Sequence, residues 1–72
     1  MQDNNYQSNE ISKVIKKYRE KYGMTQRVLA DLACVSSQTI YELEHDKRSP
    51  TLDVLLSILD ALSLTIKIEE VN

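Results

Sequence analysis

A single cysteine, a single histidine, a single glycine and a single proline occur in this chain of 72 residues, and each scarcity closes off a class of protein. Cys34 has no second cysteine with which to form an internal disulfide. Together with His45 it falls short of the roughly four ligands of a structural zinc site, so no metal is expected. The two also stand at opposite ends of a helical segment with no orienting acid, and with Gly23 as the sole glycine there is no glycine-rich phosphate loop. Neither an enzyme nor a cofactor is therefore expected. No apolar run approaches the roughly 20 residues that cross a bilayer. The opening Met1-Gln2-Asp3-Asn4-Asn5 lacks the basic-then-apolar pattern of a signal peptide, so a cytoplasmic protein with no membrane partner is expected. Below about 70 to 80 residues one core rarely suffices, and with disulfide and metal excluded the remaining support is oligomerisation.

The net charge of -2 argues superficially against a nucleic-acid ligand, but the charges are unevenly spread. Lys13, Lys16, Lys17, Arg19, Lys21 and Arg27 face only Glu20 in their stretch, whereas Glu42, Glu44 and Asp46 form one acidic group and Asp53, Asp60, Glu69 and Glu70 gather toward the carboxyl end. A chain divided in this way suits one face for an anion and another for something else; a merely solvated helix face is the plainer reading.

Residues 1–8 are polar and read as a loose arm, residues 9–63 as one domain, and residues 64–69 as a separate terminal element. Ile11, Val14, Ile15, Tyr18 and Tyr22 recur at helical spacing, with Ser8 or Asn9 to cap the start and Gly23 to end the helix in the left-handed conformation. Thr25 caps a second helix over Gln26 to Ala33 with Leu29, Ala30 and Ala33 inward, and Ser36 caps a third reaching about His45 with Ile40 and Leu43 inward. Pro50 closes a polar loop and Thr51 caps a fourth helix. Leu52, Leu55, Leu56, Leu59 and Leu62 line that helix, and Val54 and Ile58 widen its stripe beyond what one core contact needs. From Leu64 to Glu69 apolar and polar residues alternate with three β-branched residues, the signature of a strand. A lone strand in a helical chain needs a partner, and the same segment of a second subunit is the simplest one. The expected class is all-α, four to five short helices with a C-terminal strand that pairs across a homodimer.

Met24 to Thr51 reads as helix, tight turn, helix, loop, the helix-turn-helix arrangement. Thr25-Gln26, Leu29-Ala30, Val35-Ser36, Thr39-Ile40, Glu44, Lys47-Arg48 and Pro50-Thr51-Leu52 resemble the pattern of the lambda-repressor-like (Xre/Cro) family over residues 11–63. The resemblance implies a repressor whose third helix enters the major groove of double-stranded DNA. Its amino-terminal side chains then meet base edges while flanking groups hold phosphates. On that basis Ser37, Gln38, Tyr41 and Glu42 are the base-reading candidates. A glutamine amide matches adenine N6 and N7, a tyrosine can touch a thymine methyl, and a glutamate can accept from cytosine N4, though Glu42 equally suits a structural pair with a nearby lysine. Gln26, Arg27, Thr39, Lys47 and Arg48 are the phosphate-binding candidates.

Two positions depart from the family pattern. Cys34 replaces the glycine common in the turn, where a left-handed backbone is costly for other residues, and Val28 replaces an acidic residue, so the Thr25 cap lacks its reciprocal glutamate. Cys34 has no thiolate-stabilising neighbour in sequence, and no redox role is expected of it. The segment from Leu62 to Ile68 is similar to HipB-type antitoxin repressors, which implies dimerisation through Leu62, Leu64, Ile66 and Ile68 and a HipA-like kinase toxin as partner. A phage-type or chromosomal repressor without a toxin is the alternative, and a protein-interaction module that has lost DNA binding is the alternative of another class.

Overall fold

The computed structural model describes residues 8–71, and within them four helices follow one another: α1 (Ser8–Lys21), α2 (Gln26–Ala33), α3 (Ser37–Glu44) and α4 (Leu52–Ala61). α2 packs against α3 and α4, and α1 packs against α3. The residues that meet in the middle are Ile15 of α1, Leu29, Ala30 and Ala33 of α2, Ile40 and Leu43 of α3, Ile58 of α4 and Leu62 just beyond it. Each helix thus contributes the inward side of an amphipathic stripe, and truncating a fully buried member such as Ile15 or Leu29 to alanine costs about 2 to 5 kcal/mol.

Both ends of the helices are built from the local sequence. The hydroxyls of Thr25, Ser36 and Thr51 accept from the backbone N–H of Val28, Thr39 and Val54, which satisfies a donor left open in each first turn. α1 differs from expectation. It already includes Ser8 and Asn9, so neither is its cap, and the remainder of the expected arm lies outside the described residues.

The C-termini share one solution. At the end of α1, Gly23 N–H donates to Glu20 O and Met24 N–H to Arg19 O. The same pair of bonds recurs as Cys34 to Asp31 with Val35 to Ala30, Asp46 to Leu43 with Lys47 to Glu42, and Ser63 to Asp60 with Leu64 to Leu59. This is the Schellman closure, and it requires a left-handed residue at its corner. Gly23 supplies one at φ 71°, whereas Cys34, Asp46 and Ser63 adopt φ of 60°, 57° and 59° in spite of their side chains. The chain's poverty in glycine is thus carried as backbone strain, of order 1 to 2 kcal/mol per residue and less for aspartate. The expected left-handed turn at Cys34 is present; those at Asp46 and Ser63 had no glycine to announce them.

One expectation about the carboxyl end changes. Leu62 is fully buried as a member of the chain's own core cluster, so it is not available to a second subunit. Residues 64–71 form neither helix nor strand in the single chain. The strand expected over 64–69 was assigned to an intermolecular pair, and one chain offers it no such partner. Leu64 and Ile66 instead border an open apolar groove of about 510 Å³, whose other walls include Val14 and Tyr18 of α1 and Leu55 and Leu59 of α4. Ile68 and Val71 beyond it are more than nine-tenths exposed. Among the described residues, no helix is long and apolar enough to cross a membrane.

Candidate nucleic-acid interface

α2, the turn Cys34–Val35–Ser36 and α3 form the helix-turn-helix unit, with Val35 packed against the core and Ile40 and Leu43 anchoring the inner side of α3. Residues one helical turn apart on the outer side of α3 therefore face solvent together. Gln38 and Tyr41 are exposed there, Glu42 is partly exposed, and Ser37 is half-buried at the amino end. Thr39, expected at a phosphate, is half-buried, and its hydroxyl shares a 2.9 Å hydrogen bond with that of Ser36. Tyr41 stacks on His45 with ring centroids 4.0 Å apart, and His45 Nδ1 lies 2.9 Å from Tyr41 O.

The outer face is organised around Glu42. Gln38 Nε2 donates to Glu42 Oε2 at 3.0 Å, and Arg48 from the following loop donates to Glu42 Oε1 at 3.0 Å. The structural partner of Glu42 is therefore Arg48 rather than a lysine. These two bonds, the glutamine first and the arginine second, hold the Glu42 carboxyl below its ordinary pKa, so it is ionised at neutral pH. Arg27 pairs only loosely with Asp31, 3.7 Å away one turn along α2, and both side chains are largely solvated. Arg27 on α2 and Lys47 in the loop after α3 are thus exposed cations.

A second cluster lies beneath this face. Arg19 Nε and an outer guanidinium nitrogen donate to the two oxygens of Glu44 at 2.6 and 2.9 Å, and the remaining nitrogen donates to Met24 O at 2.8 Å. Gln26 Nε2 completes the shell with a 3.1 Å bond to Glu44 Oε1. The Glu44 side chain is 1% exposed and that of Arg19 is 11% exposed. The Glu44 hydrogen bond raises the Arg19 pKa above its already high ordinary value against the opposing effect of burial, so the guanidinium stays charged.

Arg19 thus leaves the basic stretch of α1 to the four lysines, and Glu44 leaves the acidic group. Reading charges along the sequence missed this pair. A signal was present, because Arg19 follows Ile11 and Ile15 at intervals of four and therefore sits on the buried stripe of α1. The network ties α1, the start of α2 and the end of α3 together, and it fixes Gln26 at the edge of the surface where a phosphate contact was expected.

A helix-turn-helix family model matches residues 15–68. The chain belongs to this helix-turn-helix family, with its lambda-repressor-like (Xre) DNA-binding regulators. Among solved structures it is similar to the wild-type restriction-modification controller protein C.Esp1396I, with 31% identity and a TM-score of 0.78 over 86% of this chain and 80% of that one. A tyrosine-to-phenylalanine variant of that controller, bound to its highest affinity operator site OM, matches with 31% identity and a TM-score of 0.77 over 86% and 82% of the two chains. A chain of the HipA-HipB-O2-O3 complex shares the fold at 24% identity, with a TM-score of 0.79 over 99% of this chain and 100% of that one. No curated protein matches the sequence significantly.

Proposed function

We propose that this protein is a sequence-specific transcriptional repressor that binds a palindromic operator as a homodimer, acting in the cytoplasm on the DNA that controls its own synthesis. The observation that carries the proposal is the outward face of α3, which stands on a packed core and presents Gln38 and Tyr41 to solvent, with exposed cations on α2 at Arg27 and in the loop after α3 at Lys47 and Arg48. Two such helices about 34 to 36 Å apart would enter successive major grooves, with Gln38 at base edges and Ser37 at a base or a phosphate. Gln26 gives one N–H to Glu44, and its second N–H suits a phosphate oxygen. Arg27, Lys47 and Arg48 supply the charge that makes binding salt-sensitive. Dimerisation is assigned to Leu64, Ile66 and Ile68, the exposed and half-buried apolar residues of the tail, pairing with the same segment of a second copy.

Within this class the reading developed furthest is that of a HipB-like antitoxin with a HipA-like kinase as partner. Its support is the likeness over the whole length of the chain, tail included. A controller role of the restriction-modification kind is the second reading, favoured by the higher identity to C.Esp1396I over a somewhat shorter match.

Binding of the purified protein to DNA immediately upstream of its own gene, at two salt concentrations and against random DNA, tests the common reading. Selective binding that weakens steeply with salt, at two chains per site, is the expected result. Affinity no better than for random DNA would return the chain to the class of protein-interaction modules. Co-expression with a HipA-type kinase encoded beside it, followed by size-exclusion chromatography, separates the two finer readings.

A further inference from the structure

Resting on the DNA-binding reading, we infer that Glu42 is a specificity-determining positioning residue: backed by Arg48, it fixes which way round the Gln38 amide faces the DNA. The chemistry is one-sided. An ionised carboxylate only accepts hydrogen bonds, so the group that Gln38 turns toward Glu42 Oε2, 3.0 Å away, has to be its nitrogen. The amide oxygen then points the other way. Gln38 retains its oxygen and one N–H side by side, the acceptor and donor that adenine N6–H and N7 require. Without Glu42 the amide is free to turn over, which exchanges donor for acceptor at the base edge.

Glu42 is itself held from behind. Arg48 Nη1 donates to its other oxygen at 3.0 Å, so the two carboxylate oxygens are divided between the reading side chain and the loop after α3. The same pairing offsets the negative charge that Glu42 would otherwise bring toward phosphates. A carboxylate on a DNA-facing helix, puzzling by its charge alone, thereby becomes part of the reading device.

Selection of duplexes from a randomised library, carried out with the full chain and with Q38A, E42A and E42Q variants, tests this. Q38A identifies the base pair that Gln38 reads by losing the preference there. E42A is expected to lose about tenfold or more of the adenine preference at that same pair. E42Q, the same size but with a single oxygen that Arg48 claims and an NH2 group that can donate toward Gln38, removes the one-sidedness and is expected to lose the preference as well, and all four proteins should melt alike. Because the readout is a ratio at one base pair, a general rise in DNA affinity on removing the charge cancels.

The inference is overturned if E42A keeps the preference that Q38A loses, or if E42Q keeps it in full. It is equally overturned if E42A changes a different base pair, which would make Glu42 a reader itself, or if Q38A alters no position. Failure of the wild-type chain to enrich any sequence would instead sink the DNA-binding reading beneath it, so the two failures are distinguishable.

Discussion

The molecule contains the same triad twice, an arginine, a glutamate on α3 and a glutamine, once buried and once exposed. In Arg19–Glu44–Gln26 the carboxylate is all but sealed from solvent, and the guanidinium meets it with two parallel bonds. In Arg48–Glu42–Gln38 the arginine and glutamate side chains are 49% and 30% exposed and meet through a single bond. Water screens the second pair, so it contributes little to stability and is suited to orienting a side chain. The first pair has lost its water, and its geometry has to compensate both charges in full. The same residue types therefore serve to lock helices together in one place and to aim an amide in the other, with burial deciding between the two.

The largest expected effect breaks the buried triad. Glu44→Ala leaves the Arg19 guanidinium without its partner and should lower the unfolding free energy in urea by about 3 to 5 kcal/mol. A loss below about 1 kcal/mol would mean that the pair is solvated after all. Replacing both members with apolar residues, Arg19→Met with Glu44→Leu, should recover most of that stability, since no charge is then stranded. The same double variant still deprives Gln26 of its anchor, so weaker DNA binding by a stably folded protein is expected; unchanged binding would confine the triad to folding.

A smaller effect concerns the turn that joins α2 to α3 and sets how they stand to each other. Cys34→Gly relieves a left-handed corner and should raise stability by about 1 kcal/mol in the same urea titration, with Ser63→Gly similar and Asp46→Gly less. Thr25→Ala and Thr51→Ala should each cost about 1 kcal/mol by removing a cap. The smallest stability effect belongs to the exposed triad, where Glu42→Ala should leave the melting midpoint unchanged. A drop as large as that of Glu44→Ala would erase the distinction between the two sites.

Much of the fold could be read locally. The limits of α2 follow from the Thr25 cap and the apolar spacing of Leu29, Ala30 and Ala33, and α3 and α4 likewise begin after Ser36 and Thr51. The outward residues of α3 followed from its inward ones. What escaped was of two kinds. The bond between Arg19 and Glu44 spans 25 residues, and no local pattern announces that two charges will be buried together. Leu62 could not be divided in advance between its own core and a partner, because an apolar stripe records how much surface must be covered and not what covers it. The left-handed corners at Asp46 and Ser63 were hidden for a different reason, since the closing hydrogen bonds of the two helix ends hold there a conformation that aspartate only tolerates and serine does not favour.

The central claim is that α3, held from below by the buried triad, is the surface that meets DNA. Titrating the isotopically labelled chain with its selected duplex and following backbone amide resonances tests it most directly. The account predicts that the largest shifts fall on Ser36 to His45, Gln26 to Arg27 and Lys47 to Arg48. Shifts concentrated instead around Val14, Tyr18 and Leu55, along the α1–α4 groove, with α3 unmoved, would contradict it.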